Sequence, residues 1–220
     1  MRADRLHPFF DLPLVGILRG CSLKHLPPLL HAVKRGGLRY LEITMNSPGA
    51  EDQIRSAVEL SNGSMVIGAG TVTSTELLNR ALAAGAEFTV TPYVVPEVIK
   101  SCEERGVPIF PGALTPTEIY EAWSAGPASI RAIKIFPADV AGPKYIRALK
   151  SGFPNVRLMP TGGVDLASLS AFTEAGADAF GIGSPLFRKD RIDAEDWDWL
   201  EHQTRAFVDT YQSANKSVSD

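Results

Sequence analysis

Lys134 stands between isoleucines in "RAIKIFPADV", residues 131–140, in a run apolar enough to be buried. Burying an unpaired ammonium is expensive, so the position calls for a chemical reason. A lysine amine, unlike a guanidinium, can lose its proton and attack a ketone to form an iminium, whose positive nitrogen is an electron sink. Desolvation by Ile133, Ile135 and Phe136 favours the neutral amine, which predicts a folded pKa below the ~10.4 of a free lysine. Glu42 interrupts a second apolar run, "LRYLEITM", and could shuttle protons for such an amine. The plainer readings are a buried Lys134–Glu42 ion pair that only holds the fold together, or a Glu42 that only neutralises Arg19 or Lys134. Two glycine motifs, "PTGGVD" (160–165) and "GIGS" (181–184), let main-chain N–H groups approach an anion closely. Either alone is a tight turn as readily as a site; as a pair on successive strands they predict a phosphorylated substrate. "GAGT" (68–71) is a third small-residue stretch, expected to leave room for an anion or carbonyl.

These residues need elements to hold them. Eight apolar runs recur along the chain at 14–20, 38–45, 64–71, 87–92, 107–112, 130–137, 156–163 and 177–184, each followed by a turn and an amphipathic segment. Pro27 and Pro28 suit a helix first turn, and Thr115 and Asp165 are candidate N-caps. Gly36, Gly85, Gly106, Gly126 and Gly176 supply stops, and "AAGAEF" and "EAGADAF" place such a stop directly before a strand. Eight strand-helix units most simply close into a (β/α)8 TIM barrel, with an open doubly wound sheet as the alternative. The reading is one barrel domain over 1–220, with a short helical extension over about 1–13 and a frayed tail over about 212–220. In a barrel, alternate strand residues point inward and sites form at the carboxyl ends. Glu42, Thr44, Lys134 and Phe136 then face inward, Leu41, Ile43, Ile133 and Ile135 outward. Arg19, Thr71, Thr161 and Ser184 fall at strand ends, so one amine, one carboxylate and one guanidinium converge.

Composition narrows the partners. The 220 residues are 45% hydrophobic with a formal net charge of -3 and no basic stripe, which suits a globular core and gives no footprint for nucleic acid. The amino terminus is broken by charges and prolines, so neither a signal peptide nor a membrane span is expected, and a cytoplasmic location is. Cys21 and Cys102 are far apart and read as reduced, partly buried thiols. His7, His25, His31 and His202 are scattered, so no metal site is expected from them.

The stretches "GILRG", "LEITMNSP", "IGAGTV", "PGALTPTE", "IKIFPA" and "MPTGGV" resemble the 2-keto-3-deoxy-6-phosphogluconate and phosphogalactonate aldolases, in the same order and at compatible spacing from about Leu14 to Phe187. The resemblance implies a (β/α)8 barrel, commonly a homotrimer, without metal or organic cofactor, in the Entner-Doudoroff pathway. It makes Lys134 the Schiff-base lysine and Glu42 the acid/base residue. Arg19, Thr71, Asn46, Pro92, Phe136 and Thr161 would bind substrate, and Gly162, Gly163, Gly183 and Ser184 the phosphate. The implied small molecules are a phosphorylated keto acid, pyruvate and glyceraldehyde 3-phosphate, with 4-hydroxy-2-oxoglutarate as a further substrate. Asn46 replaces an arginine of the gluconate branch, and its "NSP" matches the galactonate branch; Thr161 in "PTGG" matches the gluconate branch, where the galactonate branch has valine. Two other classes could use the same residues: a phosphate-binding isomerase or epimerase without a covalent intermediate, and a non-catalytic binder of phosphorylated metabolites. The binder gives no reason to set Lys134 opposite Glu42.

Overall fold

The computed structural model describes Leu6 and residues 8–219. Nine strand segments follow one another as β1 Leu14–Leu18, β2 Tyr40–Thr44, β3 Val66–Gly70, β4 Thr89–Val90, β5 Ile109–Phe110, β6 Gly112–Ala113, β7 Ile133–Ile135, β8 Leu158–Pro160 and β9 Phe180–Ile182. Every apolar run carries a strand. The fifth carries two, because Pro111 has no N–H to give a ladder and interrupts it. All pairings are parallel, in two ladders of order β5-β4-β3-β2-β1-β9 and β6-β7-β8. The ladders meet on both sides: Ile109 bridges Ile130 ahead of β7, and Thr161 beyond β8 bridges Gly181 in β9. The sheet therefore closes, and the fold is a (β/α)8 barrel rather than an open sheet.

Helices α1 Leu26–Arg35, α2 Ala50–Ser61, α3 Thr75–Ala83, α4 Pro96–Arg105, α5 Pro116–Ala125, α6 Gly142–Gly152 and α7 Leu169–Glu174 alternate with the strands, and α8 Lys189–Asp193 and α9 Trp197–Ser219 follow β9. The expected punctuation acts locally. The Thr115 side chain accepts from Glu118 N–H while the Glu118 carboxylate accepts from Thr115 N–H at 2.7 Å, a reciprocal cap on α5. The Asp165 carboxylate caps the turn that leads into α7, accepting Ser168 N–H at 2.8 Å. Gly85, Gly106 and Gly176 take left-handed angles at helix ends. Residues 212–219, expected to fray, instead continue α9, because Tyr211 and Ala214 are buried and extend its apolar side. Of the expected amino-terminal extension, the described residues contain one 3-10 turn, Phe9–Asp11; residues 1–5 and 7 lie outside them, His7 included.

Strand alternation divides the apolar residues into two cores. Outward residues such as Leu41, Ile43, Ile133 and Ile135 pack under the helices. Inward residues Val15, Tyr40, Val66, Phe88, Phe110 and Met159 fill the lower barrel, closed from below by Phe9, whose ring lies 4.9 Å from Tyr40 and 5.1 Å from Phe110. This aromatic floor fixes where polar residues can begin. One inward step further along their strands, Tyr40 gives way to Glu42, Ala132 to Lys134 and Met159 to Thr161.

Candidate active site

Above the floor, a cavity of about 710 Å³ opens at the carboxyl ends of the strands. Arg19, Thr71, Pro92, Lys134, Phe136 and Thr161 line it, together with Gly162, Gly163, Gly183 and Ser184. Glu42 is wholly buried and does not line the cavity itself. Asn46 is not brought to it: the residue is exposed in the turn after β2. Val164 and Gly181, within the two glycine motifs, also line the cavity, as do Ile17, Pro185 and Phe187, which were not singled out from sequence. Period two from Val15 would have found Ile17, but Pro185 and Phe187 lie on a loop whose path no periodicity encodes.

Both Glu42 carboxylate oxygens are buried without a hydrogen-bond partner. Burial pushes the carboxyl above the ordinary carboxylate range, and the charges of Lys134 and Arg19 only partly oppose this. Burial likewise pushes the Lys134 amine below the ordinary lysine range; the Glu42 charge opposes that shift and the Arg19 charge adds to it. No hydrogen bond or ion pair joins the two among the described residues, which removes the purely structural ion-pair reading. The Lys134 Nζ lies 5.2 Å from the Phe136 ring centre at the cavity wall. A buried amine displaced toward its neutral form thus sits within electrostatic reach of a buried carboxyl displaced toward its protonated form.

Glycines of β3 make room for side chains around this site. A Cβ on Gly70 would overlap the Glu42 carboxylate, and one on Gly68 would overlap the Phe88 ring. The glycines of "GAGT" therefore make space for protein side chains, and of this stretch Thr71 is the residue that lines the cavity. Thr71, next in the chain, has φ +56°, a left-handed angle unfavourable for a β-branched residue. The flanking backbone holds it there: Met45 N–H donates to the Gly70 carbonyl at 2.8 Å and Val72 N–H to the Val90 carbonyl at 3.1 Å.

At the other side of the cavity, Gly162 and Gly163 adopt φ +87° and +72°. Asp139 fills the place a Cβ on Gly163 would need. Ser168 Oγ donates to the Gly163 carbonyl at 2.8 Å, and Leu186 and Phe187 N–H donate to the Gly183 carbonyl at 3.0 and 2.9 Å. The loops are braced, while the N–H groups of Gly163, Gly183 and Ser184 donate to no protein acceptor among the described residues. Free N–H groups on two braced loops that line one cavity suit a multiply charged oxyanion. Among the described residues, no three His, Cys, Asp or Glu side chains gather as metal ligands. Cys21 and Cys102 are free and buried, and burial pushes their thiols up to about 11 and about 12.

A family model for KDPG and KHG aldolases matches residues 9–203. The chain belongs to this aldolase family. The 2-dehydro-3-deoxy-6-phosphogalactonate aldolase of Escherichia coli is 35% identical over 204 residues, covering 92% of this chain and 96% of its own. A solved native KDPGal structure superposes with a TM-score of 0.86 at 34% identity, covering 94% of this chain and 97% of its own. The KDPG aldolase of Legionella pneumophila, solved with pyruvate captured as a covalent carbinolamine, superposes with a TM-score of 0.81 at 26% identity over 91% of this chain and 96% of its own. In this member of the aldolase family, Lys134, Arg19 and Thr71 line one cavity together with the glycine loops that follow β8 and β9, and Glu42 lies buried within electrostatic reach of Lys134 and Arg19. No helix among the described residues is long and apolar enough to cross a membrane.

Proposed function

We propose that the protein is a class I aldolase that cleaves a 2-keto-3-deoxy-6-phospho sugar acid, of gluconate or galactonate type, to pyruvate and D-glyceraldehyde 3-phosphate through a Schiff base on Lys134. The observation that carries this reading is the buried Lys134 amine, which burial displaces toward its neutral form, within electrostatic reach of a buried, unpaired Glu42 whose carboxyl burial pushes up, beside a cavity lined by two glycine loops. The amine attacks the C2 ketone to give a carbinolamine. Glu42 gives its proton to the departing hydroxyl, and water leaves an iminium. Now a carboxylate, Glu42 takes the C4 hydroxyl proton through one water. The C3–C4 bond breaks, its electron pair flows to the iminium nitrogen, and glyceraldehyde 3-phosphate departs as the aldehyde. Glu42 returns the proton to C3 of the enamine, and hydrolysis frees pyruvate and the amine.

Arg19 and Thr71 hold the pyruvyl carboxylate in this reading. Pro92 and Phe136 wall the substrate, Thr161 lies near C4, and Gly162, Gly163, Gly183 and Ser184 take the phosphate. The iminium supplies the electron sink, so no metal or organic cofactor is needed. The family resemblance extends the reading to 4-hydroxy-2-oxoglutarate as a slower substrate and to a cytoplasmic homotrimer of the Entner-Doudoroff pathway. The test is product analysis on the two pure phospho sugar acids after treatment with a chelator. Equimolar pyruvate and glyceraldehyde 3-phosphate at an unchanged rate are expected. Epimerised or isomerised substrate without pyruvate would contradict the reading.

A further inference from the structure

A chain of buried hydroxyls leads from β2 to the strand end that carries Arg19. Thr44, on the inner face two residues beyond Glu42, shares a hydrogen bond with Ser47, Oγ1 to Oγ 2.9 Å. Ser47 is buried in the turn after β2, where its N–H donates to the Thr44 carbonyl at 3.0 Å. Its Oγ accepts the Gly20 N–H at 3.0 Å, from the end of the neighbouring strand. Gly20 turns the chain with φ +68°, and a Cβ there would meet nothing within 4 Å, so glycine serves the backbone angle and not the space. The peptide joining Arg19 to Gly20 is thus held by a side chain of another strand's turn. The Arg19 side chain is exposed, lines the cavity and makes no hydrogen bond or ion pair among the described residues. A long side chain with no partner of its own reaches only what the placement of its backbone allows.

We propose that Ser47 is a positioning residue for Arg19, its hydroxyl fixing the Arg19–Gly20 peptide so that the guanidinium is presented to the carboxylate of the bound keto acid. The proposal rests on the aldolase reading and on the Arg19 role within it. Ser47 also ties that peptide to Thr44, on the strand of Glu42, so the carboxylate-binding and proton-transferring groups share one registration. Asn46 is exposed and off the cavity, so the contribution of "NSP" to the site passes through its buried serine. Gly20 is exposed, so water can take its N–H when the hydroxyl is removed. The fold then survives while the placement of Arg19 relaxes.

The experiment compares Ser47→Ala, Arg19→Ala and the double variant in steady-state cleavage and in borohydride trapping titrated with pyruvate. Ser47→Ala is expected to raise KM and the half-trapping pyruvate concentration about 10-fold, with kcat changed less than about threefold. In the Arg19→Ala background the same change should add less than about twofold, because the group it positions is gone. Ser47→Cys, similar in shape but a weak acceptor, should repeat the pattern, and Ser47→Thr, which keeps the hydroxyl, should stay close to wild type. If Ser47→Ala fails to fold, Ser47→Cys carries the same comparison. Equal factors in both backgrounds, or wild-type kinetics for Ser47→Ala and Ser47→Cys, overturn the positioning role. A wild-type protein that pyruvate and borohydride do not modify overturns the aldolase reading itself, a result separable from the first.

Discussion

Burial displaces Lys134 and Glu42 in opposite directions, and each displacement has its own signature in stability against pH. For Lys134 the folded pKa lies below the unfolded ~10.4, so between the two the unfolded chain binds more protons and stability rises with pH, the gain complete near 10.4. For Glu42 the folded pKa lies above the unfolded ~4.3, so the native state binds more protons in that window and stability falls as pH rises through it. Urea titrations over a pH series should show the alkaline gain missing in Lys134→Met and the fall above ~4.3 missing in Glu42→Gln; curves parallel to wild type would remove the shifts from the account. Thr71 separates stability from activity. Replacing it with glycine relieves a left-handed angle costing about 1–2 kcal/mol, offset by about 0.5–1 kcal/mol of glycine entropy. Thr71→Gly is therefore expected to keep or raise Tm while kcat/KM falls, and a clear loss of Tm would contradict the strain. Lys134 and Glu42 were legible in the sequence because a charge inside an apolar run is conspicuous. Ser47 was not, since a serine beside a proline looks like any turn, and only the fold brings it within 3.0 Å of Gly20.

Period-two alternation was the most informative signal for the elements, because it fixes both the aromatic floor and the polar layer above it. Tyr40 and Glu42 are one inward step apart, and that step separates core from chemistry. Pro111 splits the fifth strand and "GAGT" serves Glu42 and Phe88, outcomes set by tertiary neighbours that no local pattern encodes. The buried Tyr211 and Ala214 of α9 likewise find partners only once the barrel closes. Gly70→Ala should drive a methyl into the Glu42 carboxylate, costing about 1–3 kcal/mol and most of the turnover. Calorimetry with kinetics checks it, and unchanged values would mean that β3 can move aside. Phe9→Ala should remove the floor's plug at about 3–5 kcal/mol, yet leave the cavity residues in place, so the surviving folded fraction keeps its kcat.

The two glycine loops and Lys134 line one cavity, and the substrate preferences expected of the protein follow from the proposal that those loops take the phosphate. Removing the phosphate from the substrate should lower kcat/KM by losing its contacts with the loops of Gly162, Gly163, Gly183 and Ser184, whereas equal values for both forms would discard that phosphate site. Thr161 is buried at the cavity, and a hydroxyl can rotate to donate to or accept from either C4 epimer. Both epimers should be cleaved within about 100-fold in kcat/KM, and Thr161→Val should shift the balance toward the galactonate type. A preference above about 10³-fold, or no shift in the variant, would contradict this role. The most direct measurement is borohydride reduction in the presence of pyruvate, followed by peptide mapping. The account predicts one reduced pyruvyl adduct on Lys134, absent from Lys134→Ala, which stays folded and loses at least about 10²–10⁴-fold in cleavage. An unmodified Lys134, or an adduct on another lysine with cleavage intact in Lys134→Ala, would contradict it.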